Sequence, residues 1–335
     1  SRAFAWVVQP GRLQMVALGP AAPIAEAAAG VQSALHEGHN ADPAIRVAAL
    51  GKLSRLIWQP LAEMVPARTT VVFVPDMGLH YIPFSALVDA SGRFLVDEHD
   101  VATAASLRQL LDAGPELPGI DPRMLIVADP HYVADVPRLP GTAREADAIG
   151  RIAAGLQVDR LQGRDATRER LLGTSLGDYQ YIHIATHALA NARIPQLSAL
   201  RLAASADGGD DHVYAADLLG VRLNARLVVL SACDTALGRV VSGEGVIGLR
   251  YVLLARGAQA VVSSLWKVGD RDAEQFMTEF YDSMLGRGAP PAAAMSSAMR
   301  RLKARHGDDP AIWAAFELSV RTLPEGASAP LLARE

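Results

Sequence analysis

Short apolar runs alternate with segments of helical periodicity along the second half of the chain. Runs at 124–128, 227–230 and 258–265 are separated by stretches in which apolar residues recur every three or four positions. Such runs are typical of strands buried on both faces, and intervening helices connect parallel strands. The pattern predicts an α/β fold with a doubly wound, mostly parallel sheet and helices on both faces. Among these helices, one is expected to open with a capping box of Thr142 and Glu145, and another is expected to span about 245–255.

The first half shows a different order of elements. Residues 3–8 and 12–18 flank Pro10 and Gly11 and predict a β-hairpin, and a helix is expected after Asp42. A buried strand follows from Thr70, and a stretch rich in proline and glycine spans 113–122. This stretch predicts a boundary that divides the chain into residues 1–118 and 119–335.

Two of the predicted strands deliver chemically reactive side chains. The run 227–230 leads to Cys233, the only cysteine, and a strand over 179–187 ends on His187. Ligands of open α/β sheets bind outside the carboxyl ends of the strands, where both side chains are expected. An imidazole beside a thiol activates it as a nucleophile and later protonates a leaving amine. The pattern predicts a Cys/His dyad; the alternative is a cysteine that only fills the core.

Other motifs compete with this interpretation. The sequence G-x-G-x-x-G at 243–248 matches a dinucleotide fingerprint, but ten residues separate it from the preceding strand, and Glu244 would face the phosphates. Ser175 lies in a G-x-S-x-G stretch that lacks the strand-to-helix order of a nucleophile elbow. His80 is expected to be a packed or surface residue, and His183 a core residue, and neither is expected to be catalytic.

Charge and composition exclude several function classes. The net charge is −4 with interspersed signs, which favours neither nucleic acid nor anionic lipid as a partner. No apolar run approaches the length of a membrane span. A single cysteine excludes an internal disulfide and fits a reducing cytoplasm, where we expect the protein to act.

Several ordered motifs together make the chain similar to a known family. They begin at Val74, Leu139, Ile182, Leu230, Ser264 and Trp313. Their order and spacing resemble those of CHAT domains, which are caspase-like modules that also resemble separase.

The resemblance implies a caspase-like cysteine endopeptidase that needs no cofactor. Its dyad would be Cys233 and His187, and the N–H groups of Cys233 and Ala188 would form the oxyanion hole. The family usually has glycine where this chain has Ala188. A degenerate caspase-like half is expected before residue 118. CHAT domains are commonly joined to TPR or other sensor segments, so such a segment outside this chain is a possible partner.

Substrate binding is assigned to two carboxylates. Asp234 follows the nucleophile, and Asp270 occupies the place of an acidic residue of separase that receives arginine, which predicts cleavage of a protein substrate after a basic residue. Alternatively, Asp270 only caps a helix over 271–285. The alternative for the whole chain is a catalytically silent interaction module with the same fold.

Overall fold

The computed structural model describes residues 1–36, 42–111, 121–132, 136–205, 208–232, 239–241 and 245–322. The strands are β1 (Arg2–Gln9), β2 (Arg12–Pro20), β3 (Thr70–Phe73), β4 (Asp100–Thr103), β5 (Arg123–Pro130), β6 (Gln157–Gly163), β7 (Tyr181–Ala185), β8 (His187–Leu189), β9 (Ala199–Arg201), β10 (His212–Tyr214), β11 (Leu227–Ser231), β12 (Arg239–Val241), β13 (Gly245–Ile247), β14 (Ala260–Ser264) and β15 (Phe316–Val320). The helices are α1 (Ala21–His36), α2 (Pro43–Ile57), α3 (Gln59–Ala62), α4 (Leu95–Glu98), α5 (Leu107–Leu111), α6 (Pro140–Ile152), α7 (Arg168–Gly173), α8 (Ala215–Leu218), α9 (Leu249–Ala255), α10 (Asp270–Tyr281), α11 (Pro291–His306) and α12 (Pro310–Trp313).

Eight strands form the central sheet in the order β3-β4-β15-β14-β11-β7-β5-β6. Neighbouring strands are parallel except at the β14–β15 pair, which is antiparallel. The predicted mostly parallel α/β sheet is therefore confirmed. Strands from both sides of residue 118 share this sheet, and the boundary region 112–120 lies outside the described residues, so the division into two halves stays a prediction.

The side chains of the central strands alternate between two cores. In β11, Leu227 and Val229 face one core, and Val228 and Leu230 face the other. Helices α1, α2, α6, α10 and α11 cover the first face, and α7, α8 and α9 cover the second. Burial on both faces explains why these strands read as continuous apolar runs.

Two local predictions are wrong. Thr142 and Glu145 do not form a capping box, because α6 begins at Pro140 and Thr142 Oγ1 bonds the Leu139 carbonyl instead. The helix expected from residue 245 begins at Leu249, because residues 245–247 form β13, which pairs with β12 at 239–241. The first helix thus starts earlier than the capping pattern indicated, and in the second segment strand pairing prevails over helix propensity. The predicted N-terminal hairpin is confirmed as the β1–β2 pair.

A buried ion pair connects the amino-terminal helices to the end of the chain. Arg46 of α2 donates to both carboxylate oxygens of Asp309, at 2.8 and 2.7 Å, and the Arg46 side chain is only 1% exposed. Asp309 also caps α12 by accepting from the Ala311 N–H. No helix in the described part of the chain combines the length and apolarity needed to cross a bilayer.

We expect Arg46→Ala to lower the free energy of unfolding by about 3–5 kcal/mol, because it leaves a largely buried carboxylate without its partner. The matched control is Lys52→Ala, which breaks an exposed helix-to-helix ion pair with Glu26 and is expected to cost at most about 1 kcal/mol. Urea unfolding of the three proteins measures both changes. Equal losses in the two variants would show that the buried pair does not hold α2 against α12.

Candidate active site

His187 lies at the carboxyl edge of the central sheet, but not as the end of the predicted strand. Strand β7 ends at Ala185, and His187 begins β8, which belongs to a separate antiparallel sheet of β8, β9 and β10. The switch falls at Thr186, whose buried hydroxyl donates to the Arg201 carbonyl of β9. A bend at Thr186 therefore divides the predicted strand over 179–187 into β7 and β8, which pair with different neighbours.

A backbone carbonyl fixes the His187 imidazole. Nε2 lies 2.8 Å from the carbonyl oxygen of Pro137, and the ring packs against that of Tyr132 with centroids 5.0 Å apart. A carbonyl can only accept, so Nε2 carries the hydrogen in this contact. In the neutral ring Nδ1 is then the basic nitrogen, and a fixed tautomer is what a general base requires.

The Tyr132 hydroxyl links the backbone of His187 to Thr186. It lies 2.8 Å from Thr186 Oγ1 and accepts from the His187 N–H at 3.3 Å. Because Thr186 directs its own hydrogen to Arg201, Tyr132 must be the donor in the first contact. Burial raises the pKa of Tyr132, which keeps this donor protonated at neutral pH.

Cys233 and Asp234 lie outside the described residues, but the strand that leads to them is defined. Ser231 is level with Ala185 in the β11–β7 register, so Cys233 and His187 each follow the matched pair by two residues. The carbonyl of Ala232 accepts a 2.5 Å hydrogen bond from Ser264 Oγ of β14. Cys233 is the next residue of the chain after Ala232.

The backbone N–H of Ala188 points away from the neighbouring strand of its sheet. Backbone hydrogen bonds of Leu202 and Ser198 connect β9 to β10 on either side of Leu200. By the alternation of the antiparallel ladder, the N–H and C=O groups of Leu200 then also face β10. Ala188 is paired with Leu200 across β8–β9. In an antiparallel ladder such a pair is then not hydrogen-bonded, so the Ala188 N–H points outward from the edge strand.

Asp270 caps a helix, but not its own. The helix α10 begins at Asp270 with Gly269 as its N-cap, whereas Asp270 Oδ2 accepts from the N–H of Gly141 at 2.6 Å in the first turn of α6. The alternative in which Asp270 caps the following helix is therefore wrong. Its carboxylate is stabilised by the positive end of α6.

The first turn of α6 and the residues before it also bind the carboxylate of Asp129, which the sequence did not indicate as a site residue. Asp129 ends the apolar part of β5, beside β7, and its carboxylate accepts two hydrogen bonds from Arg138 at 2.8 and 2.7 Å. Its N–H donates to Thr142 Oγ1 at 3.1 Å. The stretch from Leu139 is one of the family motifs, but its sequence gives no signal for contacts with His187 or Asp129.

A buried polar cluster lies beneath this edge. His183 Nε2 is 2.8 Å from Glu145 Oε1, although not aligned for a hydrogen bond, and His183 Nδ1 is 3.1 Å from the Tyr281 hydroxyl. His183 and Glu145 are 0% and 1% exposed. His183 is a core residue, as expected, and so is His80, whose burial lowers its pKa to about 4.

The described residues offer little for a metal or nucleotide. Among the described residues, Asp210, Asp211 and His212 lie close enough together to hold a metal ion. However, Asp211 already bonds both Arg201 and His212. The G-x-G-x-x-G stretch passes through β13 before α9, a helix of seven residues, begins at Leu249. In the described part of the stretch, Gly245 lies within β13, which pairs antiparallel with β12 outside the central sheet, whereas a dinucleotide site needs its glycines in the turn after a strand of the parallel sheet.

Comparison with known proteins places the chain in a family. The model of the CHAT domain matches residues 47–321, so the chain belongs to the CHAT domain family. Tetratricopeptide repeat protein 28 of mouse is 26% identical over 301 residues, which cover 74% of this chain and 12% of that protein. The human protein of the same name is 26% identical over 298 residues, with the same coverage. This chain therefore spans about an eighth of the length of these curated relatives.

Solved structures show the same fold. The separase-securin complex of Saccharomyces cerevisiae matches with a TM-score of 0.51 at 17% identity, over 76% of this chain and 16% of that chain. The Arg-specific cysteine proteinase gingipain R matches with a TM-score of 0.55 at 9% identity, over 92% of this chain and 76% of that chain. The resemblance to caspase-like folds expected from the sequence is confirmed.

We expect the Tyr281 phenol to govern stability at alkaline pH. Burial, and then the charge of Glu145, raises its pKa well above the usual value, so the folded protein keeps the proton when the unfolded chain loses it near pH 10. This contribution is complete below about pH 10 and is lost above it at about 1.4 kcal/mol per pH unit. Tyr281→Phe should make the decline between pH 10 and 11.5 shallower by this amount in urea unfolding. An unchanged slope would contradict the assignment.

Proposed function

We propose that this CHAT domain is a cysteine endopeptidase in which Cys233 and His187 form the catalytic dyad. The observation that carries the proposal is the state of His187: its Nε2 is held by the Pro137 carbonyl, which leaves Nδ1 as a base at the strand edge where β11 leads to Cys233. The membership in a family with caspase-like folds supports the same class of activity.

In the proposed reaction, His187 Nδ1 accepts the proton of the Cys233 thiol, and the thiolate attacks the peptide carbonyl carbon. The resulting oxyanion accepts hydrogen bonds from the N–H groups of Ala188 and Cys233. His187 then donates its proton to the leaving amine, and an acyl-enzyme remains. Water, deprotonated by His187, attacks the thioester carbonyl, which releases the carboxylate product and the thiol. The outward N–H of Ala188 supports this role.

The proposed substrate is a protein cleaved after a basic residue, in the reducing cytoplasm. Asp270 and Asp234 would bind the basic side chain, and Asp270 is held at the same helix start whose preceding residues contact His187. The curated relatives are named for tetratricopeptide repeats, which supports a repeat segment outside this chain as a sensor. The charge pattern favours no direct contact with nucleic acid or membrane.

We expect Cys233→Ala and His187→Ala each to abolish peptide cleavage while the thermal unfolding midpoint changes little, because the two groups act as one unit. Cleavage of a peptide library, followed by mass spectrometry, measures the loss. Leu189→Ala, an exposed change on the same short strand, is the control that retains activity. Substantial cleavage by Cys233→Ala would overturn the mechanism.

A cysteine-directed peptidyl probe separates the enzyme from a catalytically silent interaction module. An aligned thiolate reacts much faster than a free thiol at neutral pH. We expect rapid labelling in the parent and slow labelling in His187→Ala. Equal rates in both proteins would favour the silent module.

We expect Asp270→Asn to lower kcat/KM at least about tenfold for peptides with arginine or lysine before the scissile bond, and much less for neutral peptides, because a charge-assisted pair is lost. Asp272→Asn, two residues further along the same helix, is the matched control. The measurement is the ratio of kcat/KM for paired basic and neutral peptides. If this ratio stays that of the parent, Asp270 caps α6 and does not set specificity.

A further inference from the structure

Asp129 and Arg138 form an ion pair whose two side chains differ in exposure. The Asp129 side chain is 11% exposed, whereas that of Arg138 is 59% exposed, and both guanidinium contacts come from Nη2. The carboxylate is thus recessed, and the guanidinium reaches it from the solvent side. A bound ligand reaches a recessed binding group from solvent in the same way, although here both groups belong to one chain.

The position of the pair connects it to the proposed active site. Asp129 directly follows Ala128, which is level with Ala185 at the end of β7. Arg138 directly follows Pro137, whose carbonyl holds the His187 ring. The pair therefore lies beside the proposed base, on the edge where a substrate would be cleaved.

The backbone at Asp129 is held in a sparsely populated conformation. Its φ is 45°, in the left-handed region, and the β5–β6 register shifts between Ala128 and Pro130. Non-glycine residues in this region cluster at functional sites. The N–H of Asp129 is bonded to Thr142, whose neighbour Gly141 bonds Asp270. The start of α6 thus lies between the carboxylates of Asp129 and Asp270. The Asp129 carboxylate is already bonded to a guanidinium group.

We propose that Asp129 is a receptor for the basic side chain of the substrate, and that Arg138 occupies it as an internal competitor. This inference rests on the proposed peptidase function and names a second specificity residue beside Asp270. A substrate arginine replaces the guanidinium of Arg138 with the same two hydrogen bonds. Since Arg138 is mostly exposed, its release leaves no buried charge unpaired, so the exchange is energetically accessible.

The test measures binding of argininamide by isothermal titration, which does not depend on cleavage. Arg138→Gln is expected to bind argininamide at least about tenfold more tightly than the parent, because the competitor is removed. Norleucinamide, which has no charged head group, should show no such gain. The matched control is Arg144→Gln on α6. It removes another arginine that forms an ion pair, since the Arg144 side chain is 55% exposed and bonded to Glu274. The double change Asp129→Asn with Arg138→Gln should abolish the gain.

The outcomes separate this inference from the proposed function. If Arg138→Gln gains affinity and the double variant loses it, Asp129 is the receptor, whether or not the protein cleaves peptides. Equal argininamide affinity in the parent and in Arg138→Gln overturns the inference, as does an equal gain in Arg144→Gln. Peptide cleavage that persists alongside such a negative result leaves the Cys233 and His187 mechanism standing. In the active enzyme, Arg138→Gln should also raise kcat/KM for basic peptides relative to neutral ones.

Discussion

The common level at which the β5–β7 and β7–β11 pairings end is the constraint on which the rest of the proposed site depends. Ala128, Ala185 and Ser231 are matched across these parallel pairs, and Asp129, His187 and Cys233 follow within one or two residues. The register is strongly specified because both faces of the strands are buried. A slip of one residue would exchange the side chains that face the two cores. Packing far below the edge therefore sets where the reactive groups lie.

A six-residue segment, Pro137 to Thr142, converts that edge into a site. Consecutive parts of it hold the His187 ring, the Asp129 carboxylate and Asp270. Most of these contacts use backbone groups or depend on close approach. At Gly141 a Cβ would lie 2.5 Å from the Asp270 carboxylate, so any larger residue would force this carboxylate to move. The same helix start thus orients a proposed base and two proposed binding groups.

The cluster of His183, Glu145 and Tyr281 ties this arrangement to the core. It joins β7, which leads to His187, to α6, which follows Pro137, and to α10, which begins at Asp270. Burying such groups is costly, and removing one partner costs more than the pair gains. The cluster therefore favours one relative placement of the three elements, which a purely apolar interface of the same size would specify less sharply.

The sequence by itself determined the sheet and its mostly parallel direction, because apolar periodicity reports burial, and burial on both faces is typical of such strands. It also indicated the family through ordered motifs. Only the tertiary structure decided that Pro137 orients His187, that Asp270 caps α6 and that Arg138 occupies Asp129. The first two contacts join residues far apart in the chain and use a backbone group, and the third joins the end of β5 to the segment before α6. Local propensity and spacing carry no record of them, since they arise only when separate strands and helices are packed together.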